Sequence, residues 1–107
     1  GRSKPVKTKR GTPRTLIVTE GSLQGTSINL GSQPITIGRS PDSTLVIDDD
    51  YASSHHAKIY PHLDGWVVED LGSTNGTYVQ RSRVSLPTAV PVGVPIRIGK
   101  TVLELRK

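Results

Sequence analysis

The side chains best suited to chemistry are a guanidinium, several hydroxyls and an amide, which fall in three separate loops between strand-like segments. They are Arg39, Ser53, Ser54, Thr74 and Asn75. A guanidinium and short hydroxyls donate hydrogen bonds to phosphate oxygens, and a carboxamide pairs with a peptide N–H and C=O together. The set therefore favours binding of an anionic ligand over acid–base catalysis. A solvated rim of loops without a ligand is the alternative that these residue types leave open.

A serine and a histidine of the kind that a hydrolase needs also occur in this region. Ser53 and His56 lie close together in the sequence, and Asp70 could be proposed as the third member of a triad. However, the serine and histidine lie at one loop-to-strand edge, and no nucleophile-elbow pattern surrounds the serine. We therefore expect a protein that is not an enzyme.

The residue types and their spacing give little support for a metal or cofactor site. His55 and His56 are adjacent, so on a strand their side chains point to opposite faces. The three aspartates at 48–50 are consecutive and lack the spaced ligands of a calcium loop, and we expect them to be solvated. No glycine-rich loop has the spacing of a nucleotide cradle. Neither a metal nor a cofactor is predicted.

The positive charge of the chain is concentrated at its beginning. The 107 residues carry a formal net charge of +5, but residues 1–14 hold six basic residues and no acids. Eight basic residues and all nine acids remain for residues 15–107, so the body lacks the basic surface of a non-specific nucleic-acid binder. No nucleic-acid partner is predicted. Residues 1–13 are expected to form a basic flexible tail, and residues 14–107 one folded domain.

Two residue types are absent from the chain, namely cysteine and methionine. Without cysteine there is no disulfide framework, which fits a reducing and therefore cytoplasmic compartment. No apolar run reaches the roughly 18 residues of a membrane span, and no signal-peptide pattern is present. Because methionine is absent, we expect a fragment of a longer protein, in which regions outside the fragment would decide any membrane association.

Short strands must position the three loops. Alternating or β-branched runs predict strands at residues 14–19, 26–30, 34–38, 44–47, 57–60, 66–69, 77–79, 96–98 and 101–105, with a short turn and strand within 80–84. Residues 85–95 carry three prolines and are excluded from a central strand. No segment has a helical apolar stripe. An all-β sandwich or barrel follows, with Trp66 as the largest piece of its core.

Two glycine-containing dipeptides indicate tight turns. Asn75-Gly76 is the strongest short hairpin signal in the chain and predicts a hairpin between residues 66–69 and 77–79. Gly99-Lys100 predicts a closing hairpin between the last two strands.

Three motifs occur in a fixed order along the chain. They are Gly38-Arg39, then Ser53-Ser54-His55-His56, then Leu71-Gly72-Ser73-Thr74-Asn75-Gly76-Thr77. This order resembles the forkhead-associated (FHA) domain, with a match from about Leu16 to Leu105. The resemblance implies an eleven-stranded antiparallel β-sandwich that recognises phosphothreonine in an extended peptide. It also implies a non-catalytic module of Ser/Thr kinase signalling whose partners are phosphothreonine-containing proteins, such as Ser/Thr kinases or their substrates. A phospho-independent interaction domain on the same fold is the alternative.

The resemblance assigns ligand contacts to five residues. Arg39 and Ser53 would bind the phosphate, and Thr74 would complete a pocket for the phosphate and the methyl group. Asn75 would hold the peptide backbone. Ser54 stands where a longer side chain is common, so its contact would be short-range and an extra cationic contact would be lost.

Other positions receive structural roles from the resemblance. His56 would hold the Ser53 loop through its backbone, and Gly38 and Gly76 would be backbone requirements. Gln80 stands where asparagine is common, which puts a peripheral peptide contact in doubt. Val94 stands where aspartate is common, which affects a turn.

A finer resemblance rests on the aspartate-rich run 48–53 and on the basic beginning of the chain. Both look like actinobacterial FHA proteins encoded with cell-division kinases. Thr8 and Thr12 lie in the basic tail, which suits access by a kinase. The resulting hypothesis is that the phosphorylated tail occupies its own or a neighbour's pocket, helped by its high effective concentration.

Overall fold

The computed structural model describes residues 13–63 and 65–107, and eleven strands run through them. The strands are β1 (Thr15–Glu20), β2 (Ser27–Asn29), β3 (Ile35–Gly38), β4 (Leu45–Val46), β5 (Ala57–His62), β6 (Gly65–Asp70), β7 (Thr77–Val79), β8 (Ser82–Arg83), β9 (Thr88–Ala89), β10 (Ile96–Ile98) and β11 (Thr101–Arg106). Thr8 and Thr12 lie outside the described residues, as does the tail before Pro13. Within the described residues there is no helix that is long and apolar enough to cross a membrane.

The strands form two sheets that enclose one core. The six-stranded sheet has the order β2-β1-β11-β10-β7-β8, and the five-stranded sheet has the order β4-β3-β5-β6-β9. The predicted all-β sandwich of eleven strands is confirmed. One strand pair departs from the expected antiparallel arrangement, because β3 and β4 are parallel. The loop between them folds back along β3, where the Thr44 N–H donates to Thr36 Oγ1 (2.9 Å).

Aliphatic side chains from both sheets fill the core, as their alternation in sequence predicts. Leu16 and Val18 of β1 and Ile96 and Ile98 of β10 are at most 2% exposed. Burying each such side chain contributes about 1.5–3 kcal/mol. Trp66 joins the same cluster and is 6% exposed. These strands hold the loops at the ends of the sandwich in place.

The predicted hairpin at Asn75-Gly76 is wrong. β6 belongs to the five-stranded sheet and β7 to the six-stranded sheet, so residues 71–76 cross from one sheet to the other. Gly76 has φ +89°, but Asn75 keeps a negative φ, so the pair does not form the turn that the dipeptide favours. The loop is instead held by side-chain hydrogen bonds.

Two-residue hairpins do connect other strand pairs. Gly99-Lys100 joins β10 to β11 as predicted, with φ +63° at Gly99. Gln80 and Arg81 join β7 to β8. Gln80 has φ +57°, a conformation that asparagine adopts more readily, which gives a backbone reason for the asparagine common at this position.

Two further segments refine the predicted boundaries. β5 continues to His62 and β6 begins at Gly65, so their connection has two residues instead of the five predicted. Pro61 is tolerated in β5 because β3 pairs with β5 only as far as Ile59. In the proline-rich segment, β9 forms an edge strand, which agrees with its exclusion from the centre.

Candidate functional site

The loop after β3 and the loop before β5 are joined through their backbones. The Arg39 N–H donates to the Ser53 carbonyl (3.1 Å), and the Ser40 N–H donates to the Ser54 carbonyl (3.0 Å). A Cβ at Gly38 would lie 2.0 Å from the Ser54 carbonyl oxygen, so only glycine fits at this contact. The side chains of Arg39, Ser53 and Ser54 are therefore attached to neighbouring backbone positions.

His56 is fully buried and joins two loops. The Ser53 N–H donates to His56 Nδ1 (3.0 Å), and His56 Nε2 lies 2.9 Å from the Gly76 carbonyl oxygen. Because a carbonyl oxygen only accepts, Nε2 must carry the proton, and Nδ1 accepts. Both ring nitrogens are thus engaged by backbone, and the ring fixes Ser53 relative to Gly76.

Ser53 and Thr74 meet directly across the site. The Thr74 N–H donates to Ser53 Oγ (3.1 Å). A hydroxyl has two lone pairs and one proton, so this contact occupies a lone pair and leaves the proton available to a ligand. Ser53 is half-buried, whereas Thr74 is exposed. The hydroxyl of Ser53 is therefore held in place before any ligand arrives.

Asp70, at the end of β6, organises the crossing loop 71–76. Its carboxylate accepts hydrogen bonds from Gly72, Ser73 and Thr77. Burial alone raises the pKa of Asp70, but the hydrogen bonds from Ser73, Thr77 and the Gly72 backbone together hold that pKa below its ordinary value. In the sequence alone, Asp70 stands out only as a possible hydrolase residue. Its signal was an aspartate followed within three residues by glycine and serine, a typical side-chain-capped turn.

Asn75 is oriented by Tyr51, a residue without a predicted role. Asn75 Nδ2 donates to the Tyr51 carbonyl (2.8 Å). Because a carbonyl oxygen only accepts hydrogen bonds, the amide atom that faces it must be the nitrogen. Asn75 is exposed, and its Oδ1 and second Nδ2 hydrogen are left for a ligand. The Tyr51 N–H in turn donates to Asp49 Oδ1 (2.8 Å), so the chain at Tyr51 is itself fixed.

Asp49 connects this region to the β10–β11 hairpin. Its Oδ2 accepts from the Lys100 N–H and from Thr101 Oγ1, both at 2.8 Å. It is 7% exposed, so the expectation of three solvated aspartates at 48–50 is wrong for the middle one. Burial raises the pKa of Asp49, but hydrogen bonds from Tyr51, Thr101 and Lys100 bring it below its ordinary value. Among residues 13–63 and 65–107, no cluster of three His, Asp or Glu could hold a metal ion.

The hydrolase arrangement of Ser53, His56 and Asp70 is not formed. His56 uses both nitrogens on backbone groups and has none left for the Ser53 hydroxyl. The carboxylate of Asp70 serves its own loop. Ser53 therefore has neither the base nor the orienting acid that would activate it.

The candidate ligand residues are brought together on connected loops. Arg39, Ser54, Thr74 and Asn75 are exposed around the half-buried Ser53. The two positions that differ from the common family residue, Gln80 and Val94, lie outside this group. Gln80 is in the β7–β8 turn, and the Val94 N–H donates to the Pro91 carbonyl (3.3 Å) in a separate turn.

Comparison with known proteins agrees with this arrangement. Residues 35–99 match the family profile described as "FHA domain". The chain is 58% identical over 102 residues to "FHA domain-containing protein FhaB" of Mycolicibacterium smegmatis, which covers 95% of this chain and 66% of the relative. It thus spans just under two thirds of that relative's length. The chain belongs to the FHA domain family, and the resemblance drawn from the three motifs is confirmed.

Solved structures support the same assignment. The FHA domain of CT664 protein from Chlamydia trachomatis superposes with a TM-score of 0.82 at 26% identity, over 87% of this chain and 95% of that one. A structure described under "phosphothreonine-dependent FHA domain interactions" superposes with a TM-score of 0.77 at 30% identity, over 87% of this chain and 94% of that one. The fold is thus one on which phosphothreonine-dependent binding occurs.

Proposed function

We propose that this domain binds a phosphothreonine within an extended peptide. Arg39 and Ser53 contact the phosphate, Thr74 borders the phosphate and the threonine methyl group, and Asn75 holds the peptide backbone. Ser54 adds a short-range contact. A phosphate brings about −1.5 to −2 charges and three acceptor oxygens, which match a forked guanidinium and a hydroxyl donor.

The observation that carries this proposal is the contact between Ser53 Oγ and the Thr74 N–H at 3.1 Å. It leaves the Ser53 proton as a donor, and the backbone of Ser53 is joined to that of Arg39, whose side chain is exposed. Donors that are already positioned lose less entropy on binding, which raises affinity for an anion of matching shape. Gly38, His56 and Gly76 act in support, since they hold the backbone that presents these donors.

Asn75 supports recognition of a peptide instead of a free phosphate. Asn75 is exposed, and its amide is oriented by the Tyr51 carbonyl. An amide in this position can accept from a peptide N–H and donate to a peptide C=O at the same time. Neighbouring loops then bind the phosphate and the peptide backbone on either side of it.

The likeness to a structure of phosphothreonine-dependent FHA interactions supports the choice of phosphothreonine. We infer partners that are phosphothreonine-containing proteins, among them Ser/Thr kinases or their substrates, and a cytoplasmic, non-catalytic role. A link to cell division stays a prediction of the finer resemblance. So does occupation of the pocket by a phosphorylated tail.

Titration calorimetry tests the proposal with phosphothreonine, phosphoserine and threonine versions of one peptide selected from a degenerate phosphothreonine library. The phosphothreonine form should bind and the plain form should not. Phosphoserine lacks one methyl, worth about 0.8 kcal/mol by area and roughly up to 3 kcal/mol in a fitted pocket, so it should bind more weakly.

Variants of Arg39 provide the matching test in the protein. Loss of a charge-assisted hydrogen bond costs about 1.5–3 kcal/mol, so Arg39→Ala should weaken binding roughly 10- to 150-fold or more. Arg39→Lys should restore it only in part, because the fork is lost. Arg106→Ala is the control, since this exposed arginine pairs with Glu104 on β11. Equal affinity for phosphorylated and plain peptides would instead favour the phospho-independent alternative.

A further inference from the structure

The pair Asn75-Gly76 can undergo a covalent change that needs no reactant other than water. The backbone nitrogen of Gly76, after losing its proton, attacks the side-chain carbonyl carbon of Asn75. A carbon–nitrogen bond forms, and the side-chain nitrogen takes up a proton and leaves as ammonia, which gives a cyclic imide. Water then opens either ring carbonyl to yield aspartate or isoaspartate, without oxidation or reduction. Glycine favours the attack because it has no side chain to obstruct its own nitrogen.

The fold engages both reacting groups of this pair. The Gly76 N–H donates to Ser73 Oγ (2.9 Å) at a buried position. The Asn75 amide faces another loop, where Nδ2 donates to the Tyr51 carbonyl (2.8 Å). A buried N–H that donates a hydrogen bond exchanges its proton with water only after local opening, and an amide held elsewhere cannot turn toward it. The closed loop therefore slows the reaction at both groups.

Ser73 connects the Gly76 N–H to the carboxylate that organises the loop. Its Oγ accepts from Gly76 and donates to Asp70 Oδ1, and its own N–H donates to Asp70 Oδ2 (3.0 Å). Ser73 is 9% exposed, so water does not easily replace these partners. The Gly76 nitrogen is thus freed when loop 71–76 opens away from Asp70.

We propose that Asn75 is a deamidation site of this domain and that the Ser73 hydroxyl holds the reaction back, so that its rate follows the opening of loop 71–76. The product places a carboxylate oxygen against the Tyr51 carbonyl in place of the Nδ2 donor, and two acceptors repel each other. It also adds a negative charge next to Thr74, whose N–H contacts Ser53. Deamidation should therefore weaken phosphopeptide binding, a consequence that rests on the proposed function.

The test is to incubate the domain and a peptide of residues 70–79 side by side at mildly alkaline pH. Peptide mapping by mass spectrometry measures the conversion of Asn75, and an isoaspartate-specific methylation assay identifies the product. Asn75 should convert about tenfold or more slowly in the domain than in the peptide, because opening the loop breaks several hydrogen bonds. Asn29, which lies in β2 and precedes Leu30, is the internal control and should stay unmodified. Equal rates in domain and peptide would overturn the proposal, as would a domain in which Asn75 does not convert at all.

Variants show whether the Ser73 hydroxyl is responsible. Ser73→Ala frees the Gly76 N–H and should speed the conversion of Asn75 about 5- to 30-fold, whereas Ser73→Thr keeps a hydroxyl and should not. Hydrogen exchange of the Gly76 amide should accelerate by a similar factor, while a loss of global stability alone would also accelerate exchange in the core strands.

Thr77→Val is the matched control for Ser73→Ala. It also removes a hydrogen bond to Asp70, but it leaves the Gly76 N–H bonded to Ser73, so Asn75 should convert at nearly the wild-type rate. An unchanged rate in Ser73→Ala, or equal acceleration in both variants, would overturn the role of the Ser73 hydroxyl. The comparison of the wild-type domain with the peptide does not depend on whether either variant folds.

Phosphopeptide binding gives a separate measurement. Saturating phosphothreonine peptide should slow the conversion of Asn75, and the purified deamidated domain should bind that peptide about tenfold or more weakly in titration calorimetry. Unchanged affinity after deamidation would contradict the proposed contact between Asn75 and the peptide. If the wild-type domain binds no phosphopeptide, the proposed function fails, whereas the conversion rates still decide whether Asn75 is a guarded deamidation site.

Discussion

Two corners of the same loop cluster are held in different ways. The phosphate corner, comprising Gly38, Arg39, Ser53 and His56, is fixed by backbone hydrogen bonds and a buried imidazole. The amide corner, comprising Asp49, Tyr51, Asn75 and Lys100, is fixed by a carboxylate that bridges two loops. The first corner is rigid through close packing, whereas the second depends on an ionised group. Perturbing each corner in turn should therefore separate binding of the phosphate from binding of the peptide backbone that Asn75 is proposed to hold.

The largest effect is expected in the phosphate corner, at Gly38. The Cβ of Gly38→Ala would lie 2.0 Å from the Ser54 carbonyl oxygen, so the loop before β5 must move. Overpacking of this kind costs roughly 3 kcal/mol or more in unfolding free energy. Gly31→Ala is the matched control, since a Cβ there meets nothing within 4 Å. Denaturant unfolding should separate the two, and equal stability would show that the corner is not tightly packed.

The next effect concerns the imidazole that joins the two loops. His56→Ala leaves the Ser53 N–H and the Gly76 carbonyl without partners and should lower stability by about 1–3 kcal/mol. His55→Ala is the control, because His55 is exposed and its ring hydrogen-bonds to Asp42, another exposed side chain. Thermal melts of both variants should differ clearly. A His56→Ala protein with an unchanged melting temperature that fails to bind phosphopeptide would contradict the supporting role and indicate a ligand contact.

A smaller effect is expected at Asp49 in the amide corner. Asp49→Asn replaces one acceptor oxygen by an amino group that faces donors, and should cost about 1–2 kcal/mol. Because the connection from Tyr51 through residue 49 to the β10–β11 hairpin is then weakened, phosphopeptide affinity should fall several-fold. In NMR spectra, the amide signals of Asn75 and Lys100 should move, and those of Arg39 and Ser53 should not. Asp48→Asn, at an exposed neighbouring position, is the control. Shifts spread equally over both corners would show that they are not separate.

The two corners also differ in how much of each can be predicted from the sequence. The residues of the phosphate corner lie in short motifs, Gly38-Arg39 and Ser53 to His56, whose spacing is visible without a structure. Asp49 and Lys100 are 51 positions apart, and only the β10–β11 hairpin brings them together. No local pattern distinguishes Asp49 from its two exposed neighbours at 48 and 50.

The strands were predicted more fully than the connections between them. Alternating apolar residues locate strands such as β3 and β10, because period-2 burial is a local property. Which sheet each strand joins is not local, and the hairpin predicted at Asn75-Gly76 failed for that reason. The crossing loop is set by the Asp70 carboxylate, whose four hydrogen bonds outweigh the turn preference of the dipeptide.

The smallest effect expected is a dependence of stability on pH, and it should come from the carboxylates of Asp49 and Asp70. Burial is the largest single effect and raises both pKa values. The hydrogen bonds to the ionised carboxylates together outweigh burial, so both pKa values are lowered in the folded state. In the unfolded chain the aspartate pKa is about 3.9. The unfolded state therefore binds protons before the folded state as the pH falls. Their stabilising contribution is complete above that value and is lost as the pH falls through it toward the lower folded values. Melting temperatures measured between pH 7 and pH 3 should thus fall below about pH 5 in the wild type. Asp49→Asn and Asp70→Asn should each start lower at pH 7 and fall less steeply, whereas Asp48→Asn should follow the wild type. If all four proteins fell with the same slope, these two carboxylates would not be what makes the loops sensitive to acid.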